Sequence, residues 1–191
     1  MTKRTRILPT QFAPVERVPI EITRRQAAAV KKAPLPFDLL SGVLNYVFIL
    51  NAQRQIVYAS RNVPDLLPDR KRKPWLGLRP GEALGCVHAN ENEGGCGTSK
   101  SCRKCGGVRA VLSSLNGEAS VKQFRLKRII GGQEEALQFL ALAAPLVHKK
   151  EPFSLLVLTD SADAKAKQAL KRVFTRLVRD PLRVTTEHKA V

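Results

Sequence analysis

The chain has 191 residues, 43% of them hydrophobic, with 33 Lys and Arg against 16 Asp and Glu, a net charge of +17. That apolar content supports a packed domain and argues against wholesale disorder. The longest apolar run, Leu137–Val147, is broken by Pro145 and falls short of the roughly 20 residues of a bilayer span, and Met1–Phe12 is basic without an apolar stretch, so the expectation is a cytoplasmic protein that is neither membrane-spanning nor secreted.

Residues 1–36 read as a basic extension. Its first 15 residues, with Pro9 and Pro14, have no period. Ile20–Lys32 predicts a short helix entered at Pro19, because proline suits a first helical position. Pro34 and Pro36 stop it. Phe37, Leu39, Leu40, Val43 and Leu44 then recur at helical spacing. Tyr46–Asn51 and Gln55–Ser60 are β-branched and aromatic runs joined by a polar step, which predicts two strands with a tight connection. Residues 61–85 are rich in Pro, Gly and charge and read as loops and short helices. Gly106–Asn116 predicts a helix on Val108, Val111, Leu112 and Leu115, ended by Gly117. Ala119–Ile130 and Glu134–Val147 are strand-like and joined at Gly131-Gly132, a hairpin signal. Phe153–Thr159 is a further strand. Asp160-Ser161 would cap a final helix closed by Pro181, leaving 181–191 as a flexible tail.

Five strands without βαβ alternation predict an α+β domain over residues 37–160, an antiparallel sheet with helices on one face. In the final segment, 161–180, Ala166, Leu170, Val173 and Leu177 are spaced 4, 3 and 4 apart. That seam either packs on the parent sheet or pairs with a second copy as a homodimer.

All four cysteines, Cys86, Cys96, Cys102 and Cys105, fall within 20 residues. In a cytosolic chain such crowding points to metal or redox chemistry more than to structural disulfides. The two-residue gap from Cys102 to Cys105 lets both sulfurs reach one ion, and Gly106 would relieve the turn that follows. The segment is too polar to order itself, so a bound centre would supply order. Four thiolates suit tetrahedral zinc, the preferred ion, or an iron–sulfur cluster. Both carry the same net charge, which Arg103, Lys104 and Arg109 could offset, so charge does not choose between them. His88 is an alternative ligand or a donor behind the ligands, or a plain loop residue.

Divided by region, residues 1–32 carry net +6, 33–159 net +7 and 160–191 net +4, with a dense knot at Arg70–Lys73. The surplus is spread, and only 5% of the chain is aromatic, which gives little for stacking on nucleic acid. The charge therefore reads chiefly as solvated extensions plus compensation around a metal centre.

Val47–Asn51 with Arg54–Ser60 resembles the first hairpin of a PAS sensor domain. Arg79–Cys86, Gly95–Ser99 and Cys102-x-x-Cys105-Gly106 together resemble the cysteine-bearing PAS domains of some bacterial sensor histidine kinases. The resemblance covers about residues 10–180. It implies a five-stranded antiparallel sheet with flanking helices, a C-terminal signalling helix, and sensing rather than catalysis. It also implies a cavity between sheet and helices, in which no lone His or Cys here marks a haem or flavin. In those kinases the last helix leads to a phosphoacceptor His; the matching stretch is Lys171–Leu177, and Arg176 stands at that position. With no nucleotide motif following, the expectation is a sensor or adaptor without kinase output, acting on a partner protein or a second copy. A zinc-stabilised nucleic-acid-binding regulator is the alternative. An enzyme is not expected: His88, His148 (beside Lys149 and Lys150, read as exposed) and His188 have no catalytic spacing. A redox pair Cys102/Cys105 would lack its usual βαβ setting.

Overall fold

In a computed structural model of the protein, residues 8–33, 46–68, 75–179 and 182–184 are described. The expected helical stretch Phe37–Leu44, the basic knot Arg70–Lys73 and His188 lie outside them.

Tyr46–Asn51 (β1) and Ile56–Ala59 (β2) form the first hairpin. Asn51 closes its turn, its side-chain oxygen accepting hydrogen bonds from the amides of Gln53 and Gln55, an Asx turn. Ser120–Ile130 (β3) and Gln133–His148 (β4) form the second hairpin. Gly131 and Gly132 both take positive φ, +58 and +82, as a two-residue type I′ turn requires. Glu151–Asp160 (β5) then pairs with both β4 and β1, giving the antiparallel order β2-β1-β5-β4-β3. A short sixth strand, Leu182–Val184 (β6), falls where the sequence predicts a tail. It runs parallel to Leu146–His148, past the last β3 partner at Ala143.

Strands β1 and β5, both inner, explain their own composition. Val47, Ile49, Leu155 and Val157 face one side of the sheet, and Phe48, Leu50, Leu156 and Leu158 the other. Strands buried on both faces read as continuous apolar runs, not alternating ones. Such a sheet needs two covers, which corrects the expectation of helices on one face. On one side lie Val63–Leu66 (α2), Pro80–Ala83 (α3) and Gly106–Leu115 (α4), meeting the sheet through Leu66, Ala83, Ala110 and Val111. On the other lie Ile20–Lys31 (α1), through Val30, and Ala164–Arg179 (α5), through Leu170 and Phe174. Leu170 of the predicted seam is fully buried against the sheet; the side chains of Ala166, Val173 and Leu177 lie outside the described ones.

His148, read as exposed, is buried with only 3% of its surface accessible. Its parity on β4 matches Leu142, Ala144 and Leu146, all on the inner side, and β6 pairs alongside it. Among the described residues no helix is long and apolar enough to cross a membrane.

Candidate functional site

Between α3 and α4 the chain makes two single 3-10 turns, Val87–Asn90 and Ser101–Lys104. These place the four cysteines. Cys86 leaves α3 and is held to Arg128 of β3 by a lone antiparallel bridge. Cys96 sits in the loop between the turns, Cys102 in the second turn, and Cys105 at the N-cap of α4. All four are free thiols. They line one cavity of about 310 Å³, whose apolar wall includes Leu50, Leu84, Val111, Phe124, Leu156 and Leu158. His88 also lines it, with Nδ1 2.5 Å from the Glu91 carboxylate.

Nearby backbone amides bear on the sulfurs electrostatically: those of His88 and Ala89 on Cys86, that of Gly81 on Cys96, and those of Gly107 and Val108 on Cys105. The Ser99 hydroxyl donates to Cys102 Sγ at 3.3 Å. Such donors favour the anionic sulfur. Burial acts against them and dominates, pushing the Cys86, Cys96 and Cys105 thiols above the ordinary range, with the neighbouring cysteines adding to the rise. The surroundings therefore suit thiolates only if a cation offsets their crowded charge. Among the described residues no three His, Cys, Asp or Glu side chains form a ready ligand set. The sulfurs share a cavity, not yet a point within it.

Two glycines keep this arrangement open. A Cβ on Gly81 would lie 2.6 Å from Cys96 Sγ, and one on Gly106 would lie 2.2 Å from the Gln123 carbonyl oxygen. Gly106 is thus required by the close packing of α4 on β3, not by the turn after Cys105.

The sequence gives no sign of what anchors the loop. Arg79 is fully buried. Its guanidinium donates to the carbonyls of Gln53, Gly94, Cys96, Pro14, Val15 and Glu16 at 2.8–3.3 Å. Burial, and then the nearby Arg54 and Arg17, lower its pKa to about 9. Glu82 balances the cluster: it pairs with Arg17 and accepts from the amides of Arg79 and Cys96.

The carbonyls of residues 14–16 belong to an arm that crosses the cysteine loop. Gln11 and Ala13 amides bond to the carbonyls of Thr98 and Gly97. Ala13 is buried in a small core with Cys102 and Val108, against which Cys96 and Cys105 pack. Gln55 then clamps Val18 through both its amide and its carbonyl, and the chain passes directly into α1. Arg54 and Arg79 both interact electrostatically with Cys96. Of the expected compensators, Arg103 is engaged through Nε with the Gln11 carbonyl at 2.7 Å.

No known protein family matches this chain, and no curated protein is significantly similar to it.

Proposed function

We propose that the protein is a PAS-like cytoplasmic sensor or signalling adaptor whose four cysteines hold a metal centre, without enzymatic activity of its own. Zinc is the preferred ion and an iron–sulfur cluster the alternative. The observation that carries this reading is four free thiols lining a single cavity, one of them, Cys102, accepting a hydrogen bond from the Ser99 hydroxyl. A hydrogen bond to sulfur, such as that from Ser99, tunes and orients a thiolate ligand. The PAS-like identity rests on the hairpin and cysteine motifs, and the order of five antiparallel strands agrees with it.

Zinc would hold the loop against the sheet, whereas an iron–sulfur cluster would add one-electron redox chemistry. The chain's own residues do the rest. Arg79 fixes the loop to the arm, Glu82 orients the Cys96 amide, and Gly81 leaves room for the Cys96 sulfur. Output would pass through α5 as a signalling helix, to a partner protein or to a second copy.

The test is metal analysis by mass spectrometry on full-length protein purified without oxygen, together with a visible spectrum. About one equivalent of zinc in a colourless protein is the expected result. Iron with sulfide and a visible band would select the cluster instead. Absence of stoichiometric zinc and iron, with all four thiols titrating in the native protein, overturns the reading.

A further inference from the structure

The layer opposite the thiols collects charge in a way the sequence arithmetic hides. Helix α5 carries Lys165, Lys167, Lys171, Arg172, Arg176 and Arg179 and no acidic residue. Lys165 and Lys167 stand in its first turn, against the positive end of the helix dipole. Lys167 with Lys171, and Arg172 with Arg176, are like charges four residues apart, which destabilise a helix. Helix α1, on the same side of the sheet, adds Arg24, Arg25 and Lys31 against the single acid Glu21. Arg17–Glu82, His88–Glu91, Lys127–Glu134 and Arg128–Glu135 are ion pairs that lie away from both helices. Acids are sparse on this side, with Glu21 on α1, Glu151 bonded to Gln26 and Asp163 just before α5, so the basic residues outnumber them and the balance suits an anion.

The shape of the face narrows the anion. Leu170 and Phe174 turn inward to the core. The exposed row on α5 is Lys165, Gln168, Lys171, Arg172 and Thr175. Among the described side chains this row holds no large apolar group for a lipid interface and no aromatic for stacking on unpaired bases. A helix of 16 residues is about 24 Å long, and the B-form major groove, about 12 Å wide, admits a helix. The major groove of double-stranded RNA is too narrow.

We propose that this face, α5 flanked by α1, binds duplex DNA through its phosphate backbone. The basic side chains contact phosphates, which set affinity without sequence preference. The inference is independent of any metal at the cysteines.

The experiment is fluorescence anisotropy of a labelled DNA duplex with the full chain from about 50 to 200 mM KCl. Wild-type affinity should fall steeply and linearly on logarithmic axes. Lys165→Ala/Lys171→Ala/Arg172→Ala should weaken binding by about tenfold or more near 100 mM salt and flatten the slope by about 2.7, near 0.9 for each lost phosphate contact. Arg24→Ala/Arg25→Ala, on the other helix, should weaken it independently. The charge-conserving Lys171→Arg/Arg172→Lys should bind as wild type. Melting curves show that each variant is folded. Unchanged affinity in both alanine variants overturns the proposal. So does equal competition by double-stranded RNA, polyglutamate or anionic phospholipid vesicles.

Discussion

A guanidinium costs several kcal/mol to bury without partners, and Arg79 is buried completely with six carbonyl oxygens around it. The planar fork of arginine reaches acceptors on several sides at once; a lysine ammonium is a point donor and cannot. Arg79→Lys keeps the charge and strands most of those carbonyls. It should cost about 3–5 kcal/mol, and calorimetry should show the melting temperature falling by roughly 10 °C. A change of less than about 2 °C would mean that the cage is not what holds the loop. The thiols give a prediction of pH dependence. In the metal-free, reduced protein, burial keeps Cys86, Cys96 and Cys105 protonated where the unfolded chain releases protons, near pH 8.5. The unfolded state then binds fewer protons, so stability falls as pH rises through that value. Urea midpoints at about pH 7 and about pH 9.5 should show the lower value at the higher pH; the reverse order would place the thiols outside the buried layer.

At the scale of elements, the arm of residues 8–18 closes the cysteine layer by backbone bonds from Gln11 and Ala13 and by burial of Ala13 beside Cys102. Deleting residues 1–18 should raise the rate of thiol modification by Ellman's reagent about tenfold or more, while far-ultraviolet circular dichroism keeps its β signal. An unchanged rate would remove the arm's role as a cover. The arm also shows where reading the sequence stops. Hairpins announce themselves when Gly131-Gly132 supplies positive φ. The β4–β5 turn does not, because Lys149 and Lys150 take φ +49 and +67, a conformation that ordinary residues enter at about 1–2 kcal/mol each. The cysteine block was visible by spacing. Arg79 was not, because its acceptors are main-chain carbonyls, which every residue has. The lysine neighbours of His148 suggest exposure, but its parity on the strand matches Leu142, Ala144 and Leu146 and turns it inward.

At the scale of the whole molecule, the sheet separates two faces of different chemistry. One carries thiols and their donors, the other basic helices. The arm joins them, since it leaves the cysteine loop and becomes α1 after Val18. Ordering the thiol layer should therefore be felt across the sheet. Hydrogen exchange of metal-loaded and metal-stripped protein should show slower exchange in residues 11–31 of the loaded form, α1 included. Protection confined to residues 86–105 would show that the layers are uncoupled.

The position of β5 has a consequence for biosynthesis. The last strand of the antiparallel path is its middle member, paired with both β1 and β4. During translation β1 must wait for about one hundred further residues before its second neighbour emerges. Contacts so distant in sequence form late. The cysteine loop leaves the ribosome before β3 and β5, whose Phe124, Leu126, Leu156 and Leu158 form the far wall of its cavity. For that interval its thiols face solvent in a half-built domain, and metal or oxidant can reach them without passing the wall that is still to be built.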